Sequence, residues 1–198
     1  MPRFDFLRHG EPVGGLRYRG DGVDDPLTDE GAAAMWLAVE AGTQDCAWDV
    51  VVTSPLQRCR VFAQSYATQA GLPLLIEPRL REIGLGAWEG LSHEEVKHGQ
   101  AEAYTAYKRD IVRGMPQGAE PVLDFMQRVR AALDELSGTL AGQRVLVVCH
   151  AVVMRAALAI ALDAPPQALS RIRVDYASFL SLRRAHEVWV VEGLGHRL

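Results

Sequence analysis

The sequence predicts an α/β fold: a three-layer α/β/α sandwich with a mostly parallel central sheet and an antiparallel edge strand. Three observations predict it. Strand-like apolar runs alternate with long helical segments, the pattern of βαβ units. The runs "WDVVVTSP" and "RVLVVCH" are apolar throughout, which suits strands buried on both faces. The last two strand-like segments, "SFLSLRR" and "EVWVVEG", are joined by a link too short for a crossover, so they pair antiparallel or sit apart. With 198 residues, 48% of them hydrophobic, the chain is expected to form a single domain over 1–198 with a sizeable core.

The elements follow in chain order. Arg3–Leu7 is a short strand, and Gly14–Pro26 is a Gly/Asp-rich loop too polar for core. Thr28 offers an N-cap, with Asp29 and Glu30 in the first turn of a helix reaching about Ala41. After the second strand, Ser54 and Pro55 predict a helix start, cap then N1 proline, and Gly71 ends that helix. "LPLLIEP" is a third strand, followed by the loop "LREIGLGAWEGL". Ser92 with Glu95 forms a capping box for a short helix. Helices are expected over Ala101–Arg113 and Pro121–Leu140, then the strand "RVLVVCH", a helix over Val152–Leu162 and the final strand pair.

Composition narrows the function classes. A net charge of −4 excludes a broad electrostatic grip on nucleic acid or anionic lipid. The apolar stretch from Val145 to Leu162 is interrupted by His150 and Arg155, so it reads as strand plus core helix and no membrane partner is expected. Cys46, Cys59 and Cys149 lack paired or C-x-x-C spacing, and "MPRFDF" carries no apolar signal region. A cytoplasmic location is the expectation. Oligomeric state is left open, because no exposed apolar helix face stands out.

The chemistry sits where strands end. "FDFLRHG" and "VLVVCHA" both end in histidine, and "TSPLQR" sets Arg58 near the start of a helix. Open α/β sheets keep their ligand crevices at the carboxyl ends of strands. If these strands are neighbours, Arg8, His9, Arg58 and His150 converge there with helix N-termini, and an anion pocket results. A neutral imidazole is a workable phosphoryl acceptor near pH 7. Glu82 or Glu89, in the glycine-rich loop, is the candidate proton donor for a leaving alkoxide.

"LRHGE", "TSPLQR", "REIGLGAWEG" and "VVCHA", in that order, resemble the signatures of the histidine phosphatase superfamily, the phosphoglycerate mutase-like fold. The resemblance implies His9 as the phosphorylated nucleophile, Arg8, Arg58 and His150 as phosphate-binding residues, and Glu82 as proton donor and later as base for water. It requires no metal and no organic cofactor, and a small phosphorylated substrate is the implied partner. The resemblance makes a phosphomonoesterase of a small phosphorylated metabolite, working through a phosphohistidine intermediate, the expected function; the loops look most like those of α-ribazole-5′-phosphate phosphatases, which makes α-ribazole 5′-phosphate of cobalamin assembly one candidate substrate. A broad sugar-phosphate phosphatase, a phosphoglycerate mutase and a non-catalytic phospho-ligand binding domain are the alternatives. Gly15, Cys149 and Ala151 depart from the family's usual residues, and Arg19 and Ala151 are candidate substrate contacts.

Outside the motifs, His93, His98, His186 and His196 have no partners visible in the sequence and read as solvent-facing. Trp36, Trp48 and Trp189 read as core, while Trp88 fits either core or pocket wall. A metal-dependent hydrolase using His9, His150 and a carboxylate is disfavoured because the flanking arginines repel a cation.

Overall fold

The computed structural model describes residues 1–42 and 47–194, so Cys46 and His196 lie outside the described residues. Its strands are β1 (Arg3–Arg8), β2 (Val50–Thr53), β3 (Leu74–Ile76), β4 (Arg144–Cys149), β5 (Phe179–Ala185) and β6 (Val188–Leu194). They form one sheet in the order β3-β2-β4-β1-β5-β6. The pairs β1/β4, β2/β4 and β2/β3 are parallel, and β5 pairs antiparallel with both β1 and β6. The two short-linked strands pair antiparallel and extend one edge of the parallel sheet, one of the two arrangements their short link allows.

The helices are α1 (Asp29–Gly42), α2 (Gln57–Ala70), α3 (His93–Gly99), α4 (Ala101–Arg109), α5 (Val122–Thr139) and α6 (Ala151–Ala161). Strand residues alternate between the two faces of the sheet. Phe4, Phe6, Val145 and Val147 pack with Phe125 and Val129 of α5 and Met154 and Ala157 of α6. Leu7, Val51, Leu146 and Val148 face Met35 and Val39 of α1 and Phe62 and Ala63 of α2. No helix among the described residues is long and apolar enough to cross a membrane.

Local signals mostly hold. Thr28 Oγ1 accepts from the Gly31 N–H at 2.9 Å, Gly71 ends α2 at φ 66, and both halves of the Ser92/Glu95 capping box form. Two boundaries differ. α2 begins at Gln57 rather than at Pro55, and its first N–H donates to Asp24 Oδ1 at 2.7 Å, so a distant loop supplies the cap. α4 stops at Arg109 because Asp110 is extended and its carboxylate takes the Val112 N–H at 2.9 Å.

Register is what builds the site. Arg8 stands opposite Cys149 across β1/β4, so His9 and His150, one residue further on, leave the sheet side by side. Thr53 stands opposite Val148 across β2/β4, which brings Ser54 to the same edge. Gly10 then passes so close to the first turn of α1 that a Cβ would lie 2.0 Å from the Gly31 carbonyl oxygen. Only glycine permits that approach.

Candidate active site

At the carboxyl edge of the sheet lies a pocket of about 120 Å³ whose lining includes Arg8, His9, Arg17, Arg19, Arg58 and Glu82. His9 is buried, and its Nδ1 lies 2.7 Å from the Gly10 carbonyl oxygen. A carbonyl can only accept, so Nδ1 carries the proton and Nε2 keeps a free lone pair. Burial, with help from Arg58 and Arg8, holds the His9 pKa well below the ordinary histidine value, so the ring is neutral.

His150 is wholly buried, and its ring stands edge-on to His9 with centroids 5.2 Å apart. It does not line the pocket; it backs His9. Burial and then Arg58 keep its pKa well below the ordinary value too. Its Nε2 lies 2.7 Å from Ser54 Oγ, which also accepts from the Leu56 N–H at 3.3 Å. Ser54 was expected as the N-cap of α2; instead it belongs to the site. The pairing of Ser54 with His150 spans 96 residues, and no local signal announces it.

The arginines are anchored through the backbone. Arg8 Nη1 donates to the Val174 carbonyl at 2.8 Å, and its guanidinium carbon sits 3.9 Å from the centre of the Tyr176 ring. Arg58, in the first turn of α2, donates to the Gly20 and Val23 carbonyls at 2.8 and 3.0 Å. Each keeps a buried Nε–H without a partner among the described residues. Buried unsatisfied donors are rare, and two beside one pocket call for an anion. Arg19 lines the pocket, but it bonds Asp25 and the carbonyls of Val13 and Gly15, so it braces the loop over 13–25. Ala151 is not among the lining residues, whereas Val152 is.

Glu82 is buried in the wall, its two oxygens accepting from the Ile83 and Val152 N–H groups at 3.1 and 3.3 Å. Burial raises its pKa above the ordinary carboxylate value, against the pull of Arg58 and these two bonds. Its segment is latched by Arg128, which donates to the Arg81 and Glu82 carbonyls at 2.9 and 3.0 Å and pairs with Glu120 at 2.7 Å. Glu89, the other candidate, accepts from the Leu85 N–H at 2.8 Å within the loop and does not line the pocket. Trp88 is core, wholly buried with its Nε1–H on Gln100. Arg17 and Tyr176 line the pocket and were not singled out in the sequence, since each lies in a loop with no flanking motif.

Comparison with known proteins decides the family. The model of the histidine phosphatase superfamily (branch 1) matches residues 4–197. The chain belongs to the histidine phosphatase superfamily. Within it, the adenosylcobalamin/alpha-ribazole phosphatase of Escherichia coli is 31% identical over 87% of this chain and 85% of its own. A bifunctional protein of Mycobacterium tuberculosis is 34% identical over 89% of this chain, which spans about half (48%) of that relative's length. Among solved histidine phosphatase structures, the alpha-ribazole phosphatase of Shigella flexneri superposes with a TM-score of 0.86 at 27% identity, covering 98% of this chain and 96% of that one. A mycobacterial glucosyl-3-phosphoglycerate phosphatase gives 0.86 at 26%, with 98% of each chain covered.

Proposed function

We propose that this chain is a phosphomonoesterase that works through a phosphohistidine at His9 and acts on a small phosphorylated metabolite. The observation that carries the reading is the His9–Gly10 hydrogen bond of 2.7 Å, which presents a neutral Nε2 lone pair beside unsatisfied arginine donors. In the first step Nε2 forms a bond to phosphorus, and the P–O ester bond breaks with its electron pair on the leaving oxygen. Glu82 gives its proton to that oxygen. Arg8 and Arg58 stabilise the charge spread over the non-bridging oxygens, and His150 stands behind His9 with Ser54 fixing its ring. In the second step the Glu82 carboxylate takes a proton from water. The water oxygen bonds to phosphorus, the P–N bond breaks, and phosphate leaves with neutral His9 restored.

Similarity to alpha-ribazole phosphatases of Escherichia coli and Shigella flexneri supports α-ribazole 5′-phosphate as one substrate to assay. A cytoplasmic setting is part of this reading, supported by the free buried thiols of Cys59 and Cys149. The test is hydrolysis of p-nitrophenyl phosphate in excess EDTA. Activity is expected to survive the chelator and to vanish in His9→Ala. Undiminished activity in His9→Ala would exclude the phosphohistidine route, and loss on chelation would favour a metal-dependent hydrolase.

A further inference from the structure

A second cavity, of about 280 Å³, adjoins the arginine pocket, and the two share Tyr18, Ile83, Leu85 and Val152. Glu82 lies at this junction, next in sequence to Ile83 and hydrogen-bonded to Val152. The second cavity is where space exists for whatever is attached to the phosphoryl group.

Its polar lining is one-sided. Tyr18, His93, Tyr104, Tyr107, Lys108 and Arg155 face it, and no Asp or Glu does. The His93 ring, expected in solvent, lies 4.4 Å from the ring of Tyr18, and Tyr18 and Tyr107 both pack on Trp88 at 5.1 Å. These contacts hold an aromatic wall in place. Arg155 has a buried Nε–H with no partner. Among the described residues, neither Arg155 nor Lys108 forms an ion pair. The arginines that brace the structure elsewhere are matched: Arg79 with Glu77, Arg81 with Asp21, Arg128 with Glu120, and Arg144 with Asp5. Glu82, at the junction, feels the charge of Arg155 but forms no ion pair with it, and a half-buried guanidinium without an ion pair, in a cavity lined by donors and by no Asp or Glu, suits an acceptor-rich anion.

Building on the phosphomonoesterase reading, we infer that the alcohol of the substrate carries a second oxyanion, a carboxylate or a further phosphoryl group, which Arg155 binds with Lys108 beside it. The aromatic wall suits a ring as the scaffold between the two anions. The ester phosphate sits in the arginine pocket, the ring passes Val152 and Ile83, and the second anion reaches Arg155. Arg155 is thus a specificity residue, and it does not touch the phosphoryl group that is transferred. The chemistry accounts for a feature that the phosphate pocket leaves unexplained, a cation without an ion pair in a cavity lined by no Asp or Glu.

The experiment compares kcat/KM for phenyl phosphate, 3-carboxyphenyl phosphate and 1,3-phenylene bisphosphate, using the intact protein and its Arg155→Met and Lys108→Met variants. The intact protein is expected to prefer an anionic ester over phenyl phosphate by about tenfold to a hundredfold, the range for a charge-assisted pair. The preferred ester shows whether carboxylate or phosphoryl is the second group. In Arg155→Met the ratio is expected to fall towards unity, with the change in KM. Lys108 is exposed on α4, so Lys108→Met provides a variant without disturbed packing, and its ratio is expected to fall by a smaller factor. Equal rates on all three esters in the intact protein, or a preference that survives Arg155→Met, would overturn the inference and leave the phosphatase reading intact. Failure to hydrolyse any aryl phosphate, p-nitrophenyl phosphate included, would overturn that reading and this inference with it.

Discussion

Ser54 Oγ and His150 Nε2 lie 2.7 Å apart although 96 residues separate them in the chain, and both are fully buried. The contact joins the ends of β2 and β4 directly behind His9. Ser54 Oγ also accepts from the Leu56 N–H, so one hydroxyl ties the His150 ring to the backbone at the start of α2. A serine at the mouth of α2 thereby holds the ring of a histidine on another strand in place.

Ser54→Ala is expected to lower kcat about tenfold, the equivalent of roughly 1.4 kcal/mol for one buried hydrogen bond. Ser54→Thr, which retains the hydroxyl, is expected to recover most of it. A structural role alone would lower the unfolding midpoint in urea without this recovery of kcat.

Glu82→Gln removes the proton donor and keeps the side chain's shape. A loss of about 10²- to 10⁴-fold is expected for an alkyl phosphate, whose alkoxide leaves badly without a proton. Read as kcat/KM, which reports the first step alone, the loss for p-nitrophenyl phosphate should be much smaller, because p-nitrophenolate leaves unaided. Equal losses on both substrates would remove Glu82 from the role of acid.

The pH dependence follows from two opposite shifts. Burial, then Arg58 and Arg8, lowers the His9 pKa, so the neutral nucleophile persists well into acid. Burial raises the Glu82 pKa, so its protonated form extends upward from the ordinary carboxylate range and is lost as pH rises through the raised value. Activity requires neutral His9 and protonated Glu82, so kcat is expected to peak on the acid side of neutrality. The alkaline limb is expected on an alkyl phosphate, which needs the Glu82 proton, and should flatten on p-nitrophenyl phosphate, which does not; a limb equally steep on both substrates would assign it to another group.

Asp5 predicts a stability effect away from the site. It is fully buried in β1 and accepts hydrogen bonds from Ser181, Trp48 and Arg144 at 2.6, 2.9 and 2.8 Å. Burial alone would raise its pKa, but these bonds and the charge of Arg3 outweigh burial and hold it below the ordinary value. Its contribution is therefore present above the unfolded pKa of about 3.9 and is lost as pH falls through the lower folded value. Asp5→Asn is expected to cost about 3 kcal/mol in urea unfolding at neutral pH, since it removes the buried charge that faces Arg144 and Arg3 and misplaces a donor. The gap between variant and parent should narrow in acid.

Much of the site was legible because its parts are local. A strand that stops in Arg-His-Gly, another that stops in histidine and a glycine-rich loop with a glutamate are short contiguous patterns, and Gly10 is explained by the close pass against Gly31. The helix caps at Thr28 and Ser92 were legible for the same reason: donor and acceptor lie three residues apart. The start of α2 was misplaced because its cap comes from Asp24, 33 residues away. Ser54 carried a local meaning, a helix cap, that the tertiary contact with His150 replaced. His93 looked like a solvent residue until the approach of Tyr18 gave it a neighbour.

By itself the sequence determined the α/β class, the alternation that buries the sheet on both faces, and the identity of His9, Arg8, Arg58, His150 and Glu82 as candidates. Periodicity, capping and strand-end chemistry act over a few residues and need no knowledge of the rest of the chain. The tertiary structure decided the strand order and the register of Arg8 on Cys149, and with them the meeting of His9 and His150. It also decided that Arg19 braces a loop, that Arg128 latches the segment of Glu82, and that Arg155 faces a cavity without an acid. Those facts depend on which residues meet across tens of positions, and such contacts are set by packing of the whole sheet rather than by any pattern along one segment.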